Sequence, residues 1–207
     1  MKLLLPPDIA HRLARLLKRS GSVEVGGVLM GEHVDGDIFR IVDFSSQSTN
    51  NTSSSFLRMP SKHNDTLDSF FKKTGLDYSK YNYLGEWHSH PRFAVHPSDV
   101  DIATMMNMLG NNSTSPNFAI LLIIRLARNH TIEIGAWLFV PNSNNVFPTE
   151  ICLDDEPDEF PKAANKSAIF SYGRRFLAIC GFSSEKPALQ LISVTNKSAT
   201  HDRDGPG

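Results

Sequence analysis

The sequence predicts an α/β or α+β sandwich, in which strands alternate with at least three helices. Three observations predict it. Ile9, Leu13, Leu16 and Leu17 follow the i, i+4, i+7, i+8 spacing of a helix face. The run 118–126 is apolar but for Arg125, as expected of a strand buried on both faces, and a second strand-like run follows at 131–140. Near the N-terminus, Asp35-Gly36-Asp37 joins two further strand-like runs in the manner of a hairpin.

In chain order, Pro7-Asp8 opens the first helix, and Lys18, Arg19, Ser20 and Gly21 close it with positive charge at the favourable end. Strands are expected at 23–30 and 38–44, with Gly26 and Gly27 allowing another backbone to approach. Residues 45–55, almost wholly Ser, Thr, Asn and Gln, read as a surface loop, and 56–59 as a short strand. Pro60-Ser61 caps a second helix with Leu67, Phe70 and Phe71 on its apolar side and Thr74-Gly75 at its end. Residues 76–82, with Tyr78, Tyr81 and Tyr83, suit either a groove lining or half-buried structural positions. Ser98 starts a third helix that runs to Leu109-Gly110, with Met105, Met106 and Met108 as core filling.

Composition bounds the function. With 207 residues, 40% hydrophobic, the chain is one globular domain with room for an appendage. A formal charge of -1 argues against a nucleic-acid binder. Cys152 and Cys180 stand far apart in no C-x-x-C arrangement and read as reduced core thiols, with a disulfide left open. The apolar run in Met1–Pro7 is too short for a secretory signal, and no segment reaches the roughly 18 uncharged apolar residues of a membrane span. A cytoplasmic protein without membrane contact is the expectation.

The chemistry concentrates in Gly85-Glu86-Trp87-His88-Ser89-His90-Pro91 and in Ser98-Asp99-Val100-Asp101. On an extended chain, side chains alternate, so His88 and His90 share one face, with Trp87 and Ser89 on the other. Ser98 and Asp101 form the S-x-x-D pattern of a helix start, which places the carboxylate in the first turn, free to swing back to the strand end. Two imidazoles and one carboxylate on zinc leave a fourth position open, the ligand arithmetic of a catalytic site. Either half alone has a bland explanation, as paired strand histidines or as a capping box. The whole combination arises by chance roughly once in ten thousand chains of this size. His96, nearby, reads as a rim residue.

His88-x-His90, seven residues, Ser98, two residues and Asp101 match the JAMM signature, and the chain resembles the JAB/MPN metalloproteases, in the spelling of their prokaryotic branch. The resemblance covers about residues 1–150. It implies the cytidine-deaminase-like JAB fold, a mixed sheet flanked by helices, and one zinc ion per chain held by His88, His90 and Asp101. It also implies catalytic roles for Glu24, in Val23-Glu24-Val25-Gly26-Gly27, as proton acceptor and donor, and for Ser98 as donor to the oxyanion. Glu86 shares the histidine face and rivals Glu24. It lies on the same strand as both ligands, which places it poorly for the far side of the metal, so it is read as a supporting or surface residue.

What the resemblance implies about function is hydrolysis of a peptide or isopeptide bond after the C-terminus of a ubiquitin-like protein. The implied setting is a bacterial conjugation or antiphage system with activating- and conjugating-enzyme homologues, where the enzyme reverses conjugation of a cGAS-like nucleotidyltransferase. A noncatalytic MPN scaffold and a metal-dependent phosphoesterase are the alternatives. A zinc deaminase lacks its H-x-E and P-C-x-x-C here, and a zincin its H-E-x-x-H. The domain is expected over 1–153. After it, 154–207 reads as an extension with an acidic linker and a mobile tail, in which 163–182 and 189–194 are apolar enough to fold back on the core.

Overall fold

Apolar runs too long to be solvated build the centre of a mixed sheet in the computed structural model, which describes residues 1–47, 64–110, 116–127, 131–143 and 145–154 and the backbone of 190–192. β1 (Lys2–Leu5) leads into helix α1 (Pro7–Ser20), and β2 (Gly26–Asp35) and β3 (Ile38–Phe44) form the expected hairpin. Helix α2 (Asn64–Lys73) precedes β4 (Tyr81–Ser89), and helix α3 (Asp99–Leu109) precedes β5 (Ala119–Leu126) and β6 (Ile132–Phe139). Short strands β7 (Phe147–Pro148) and β8 (Glu150–Leu153) follow, and β9 (Gln190–Ile192) adds to β6. The order across the sheet is β7-β6-β5-β4-β2-β3-β1-β8.

Each face of the sheet has its own core. Ile9, Leu13 and Leu17 of α1 close over Leu3, Leu29, Trp87, Leu122 and Ile124 on one side. On the other, Met105 and Leu109 of α3 meet Val95, Leu121, Ile123 and Trp137, while Phe70 of α2 meets Met30, Val42 and Tyr81. Met105 is thus the core filler expected, with Met106 and Met108 partly buried beside it.

Several expectations need correction. β1 was not foreseen, because four residues carry too little pattern, yet Leu3 and Leu5 are wholly buried between β3 and β8. The first long strand starts at Gly26 rather than Val23 and runs on to Asp35; buried Glu32 is tolerated there because Arg40 and Lys80 pair with it. Ser45 and Gln47 are buried, not part of a surface loop, since both bond the backbone of β2. Tyr81 fills core against Phe70 and does not line a groove. Cys152 is a free thiol, half-buried on edge strand β8 rather than in the core, where its S–H faces a Glu150 carboxylate oxygen at 3.3 Å. Cys180, the proposed cap Pro60-Ser61, residues 48–59 and the segment 163–182 lie outside the described residues. Among the described residues no helix is long and apolar enough to cross a membrane.

Candidate metal centre

β4 is held between β2 and β5, so its C-terminal end has little freedom. The His90 N–H donates to Ile124 O at 2.9 Å, and the Trp87 indole donates to Ser45 O at 2.9 Å from the opposite face. Alternation then sets both imidazoles on the α3 side, buried to 6% and 8% exposure. Helix α3 begins directly over them. Asp101 Oδ1 lies 3.4 Å from His88 Nε2, and Oδ2 lies 3.9 Å from His90 Nε2.

The donor set fits a metal ion. The two Nε2 atoms are 3.0 Å apart. Ligand atoms about 2.0–2.1 Å from a tetrahedral zinc lie about 3.4 Å from one another, so the observed separations bracket that value. His90 Nδ1 faces Ala94 O at 2.8 Å. A carbonyl only accepts, so Nδ1 carries the proton and Nε2 presents a lone pair to the centre. Burial holds His88 neutral, pushing its pKa down to about 4, with Asp101 opposing that shift and His90 adding to it. Neutral imidazole is the form that ligates. Among the described residues, His88, His90 and Asp101 are the group able to hold a metal ion.

Ser98 is the N-cap of α3, and the capping box is complete. Its backbone N–H and its hydroxyl each donate to Asp101 Oδ2 at 2.7 Å, while the Asp101 N–H donates to Ser98 Oγ at 3.2 Å. The helix-start and ligand readings of this segment are therefore compatible. One carboxylate oxygen serves the cap and the other faces His88.

Glu24 precedes β2 by two residues. Val25 is fastened to the histidine strand twice, its N–H donating to Ser89 Oγ at 3.0 Å and its carbonyl accepting from the Ser89 N–H at 2.7 Å. That places Glu24 in a buried position, 4% exposed, rather than at a solvated strand edge. Desolvation raises its carboxyl pKa; His90 lowers it and Asp101 raises it, so the carboxyl lies within electrostatic reach of His90 and Asp101. Glu86 is also buried, which removes the surface reading for it; it sits beside Val28 and Leu121 one turn of the pleat back along β4. His96 is exposed against the Trp137 ring and stands outside the metal-holding group.

Ser89 was missed as a site-building residue. A signal existed: alternation puts Ser89 on the face of Trp87, opposite the ligands, and a hydroxyl on an apolar face needs a partner.

The model of prokaryotic homologs of the JAB domain matches residues 6–128. The chain belongs to that family. Among solved structures, this JAB domain is similar to a protein from Desulfitobacterium hafniense, with TM-score 0.57 and 22% identity over 74% of this chain and 94% of that one. A protein from Salinibacter ruber aligns at TM-score 0.48 and 19% identity, over 81% and 100% of the two chains. The first likeness is one of fold, and the second carries no further weight. Comparison with curated proteins gives no match. Family and site together are those of a metal-dependent hydrolase or of an MPN scaffold, with a group of side chains that can hold a metal ion.

Proposed function

We propose that the chain is a zinc-dependent peptidase of the JAMM type, cutting a peptide or isopeptide bond after the C-terminus of a ubiquitin-like protein. The observation that carries the reading is the convergence of His88, His90 and Asp101 at ligand-to-ligand spacing, with buried Glu24 alongside. Zinc held there would supply a Lewis acid and make water a nucleophile at neutral pH. The remaining work falls to the chain. Glu24, whose carboxylate is made more basic by desolvation, accepts a proton from the attacking water and passes it to the departing amine. Ser98 turns its hydroxyl from Asp101 Oδ2 to the oxyanion, while its backbone N–H keeps that carboxylate oriented.

The setting that suits this chemistry is a bacterial conjugation or antiphage system in the cytoplasm. There, activating- and conjugating-enzyme homologues attach a protein such as a cGAS-like nucleotidyltransferase, and this enzyme detaches it. Turnover of a fusion or conjugate from the same gene neighbourhood tests the reading. Glu24→Gln should lower kcat by about 10²–10⁴-fold, while Glu86→Gln should retain most of it. Chelation should abolish cleavage, and added zinc should restore it. Zinc-loaded protein that cleaves no such partner would leave the noncatalytic scaffold as the better reading.

A further inference from the structure

The loop between the histidine strand and α3 carries both Phe93, whose ring stands edge-on to His90 with centroids 6.3 Å apart, and Ala94, whose carbonyl fixes the His90 tautomer. Three residues on neighbouring strands hold that loop down. Arg125 of β5 donates from Nη1 to Phe93 O at 3.3 Å. Its guanidinium is aimed by Glu133, directly across the ladder on β6, through Nε at 3.0 Å and through Nη2. Two residues along β6, Gly135 faces the wholly buried Val95. A Cβ at Gly135 would stand 2.4 Å from Val95 O and 2.1 Å from the edge of the Trp137 ring. Only a residue without a side chain lets the loop descend that far.

The geometry points to a clamp: we propose that Arg125, Glu133 and Gly135 are positioning residues that press loop 91–97 onto the sheet and so fix His90 for metal ligation. The proposal rests on the metal-site reading above but names residues outside it. Glu133 and Gly135 also lie beyond the segment matched by the family model. The physical reason is that His90 Nδ1 takes its orientation from a loop carbonyl rather than from its own strand. An alanine at position 135 must displace the Trp137 ring, its nearer neighbour, and also Val95 by roughly 1 Å to restore ordinary contact, and Ala94 moves with Val95. Arg125→Gln frees the same loop at Phe93 without touching the core.

Zinc affinity by chelator competition, together with the visible absorption of the Co2+-loaded full chain, tests this. Gly135→Ala and Arg125→Gln should each weaken zinc binding about 10–100-fold and alter the cobalt spectrum. Glu133→Gln should do less, because its amide oxygen still accepts from Arg125. Leu17→Ala, under α1 on the opposite face, should lower Tm with zinc affinity unchanged. If Gly135→Ala fails to fold, Arg125→Gln alone decides. Wild-type affinity and spectrum in Arg125→Gln, or an equal loss of affinity in Leu17→Ala, would overturn the clamp while leaving the metal site standing. A wild-type chain that binds neither Zn2+ nor Co2+ would overturn both.

Discussion

Asp101 divides its two oxygens between local and tertiary duties, and that division explains how a surface helix start reaches a buried histidine pair. Oδ2 takes both donors of Ser98, which locks the rotamer and leaves Oδ1 towards His88. His88 itself is neutral because it is buried, and this has a measurable consequence. Its folded pKa, about 4, lies below the ordinary value of 6.5. Between those values the unfolded chain takes the proton first, so stability of the metal-free protein falls as pH drops from about 6.5 towards 4. Urea titrations across that range should show the slope in the wild type and a flatter one in His88→Gln; equal slopes would assign the acid sensitivity elsewhere. Residue types and spacing made this trio readable without coordinates. Burial of Glu24 was expected through the family resemblance rather than from spacing, since a carboxylate between two valines also suits a wet strand edge until Val25 is seen tied to Ser89.

Among the elements, β4 carries the most consequence, and Gly85 sets its course. There φ is +151°, and an added Cβ would lie 1.9 Å from Ile120 O of β5. The ladder with β2 slips at this point, pairing Leu29 with Gly85 but Met30 with Tyr83. Leu84 and Trp87 consequently share the α1 core despite their odd spacing, and the histidines stay on the α3 side. Gly85→Ala combines strained backbone with a backbone clash. It should cost at least about 3 kcal/mol, read as a lowered urea midpoint or as insoluble protein. Soluble protein with the wild-type midpoint would show that the bulge can relax. Simple alternation placed His88 and His90 correctly because they follow the slip. Carried back from the histidines past Gly85 it puts Leu84 on the wrong face, since nothing in the local residue pattern marks the bulge except a glycine with several possible reasons to be there.

At the scale of the whole molecule, a half-buried ionic hub joins distant parts of the sheet. Arg40 of β3 pairs with Glu32 of β2 at 2.7 Å and with Asp154, just past β8, and Lys80 reaches Glu32 from the loop before β4. Asp154 also donates its N–H to Leu5 O, extending the β1–β8 ladder. Arg40→Met would leave the Asp154 carboxylate buried without its guanidinium, while Lys80 still serves Glu32. A loss of about 3 kcal/mol is expected, measured by equilibrium unfolding; a change under 0.5 kcal/mol would show that water replaces the guanidinium. No sequence pattern announces this hub, because its members lie 8 and 114 residues from Arg40. The sequence by itself determined the mixed fold class, the hairpin, three helices and the grouping of two histidines with an aspartate, because those depend on periodicity and on offsets within one stretch of chain. Only the tertiary structure decided that β1 and β8 enter the sheet, that Glu24 is buried beside the site, and that β6 reaches over to hold the ligand loop. Each of those depends on which strands become neighbours, and that pairing is settled by burial across the whole chain, not by any local spacing.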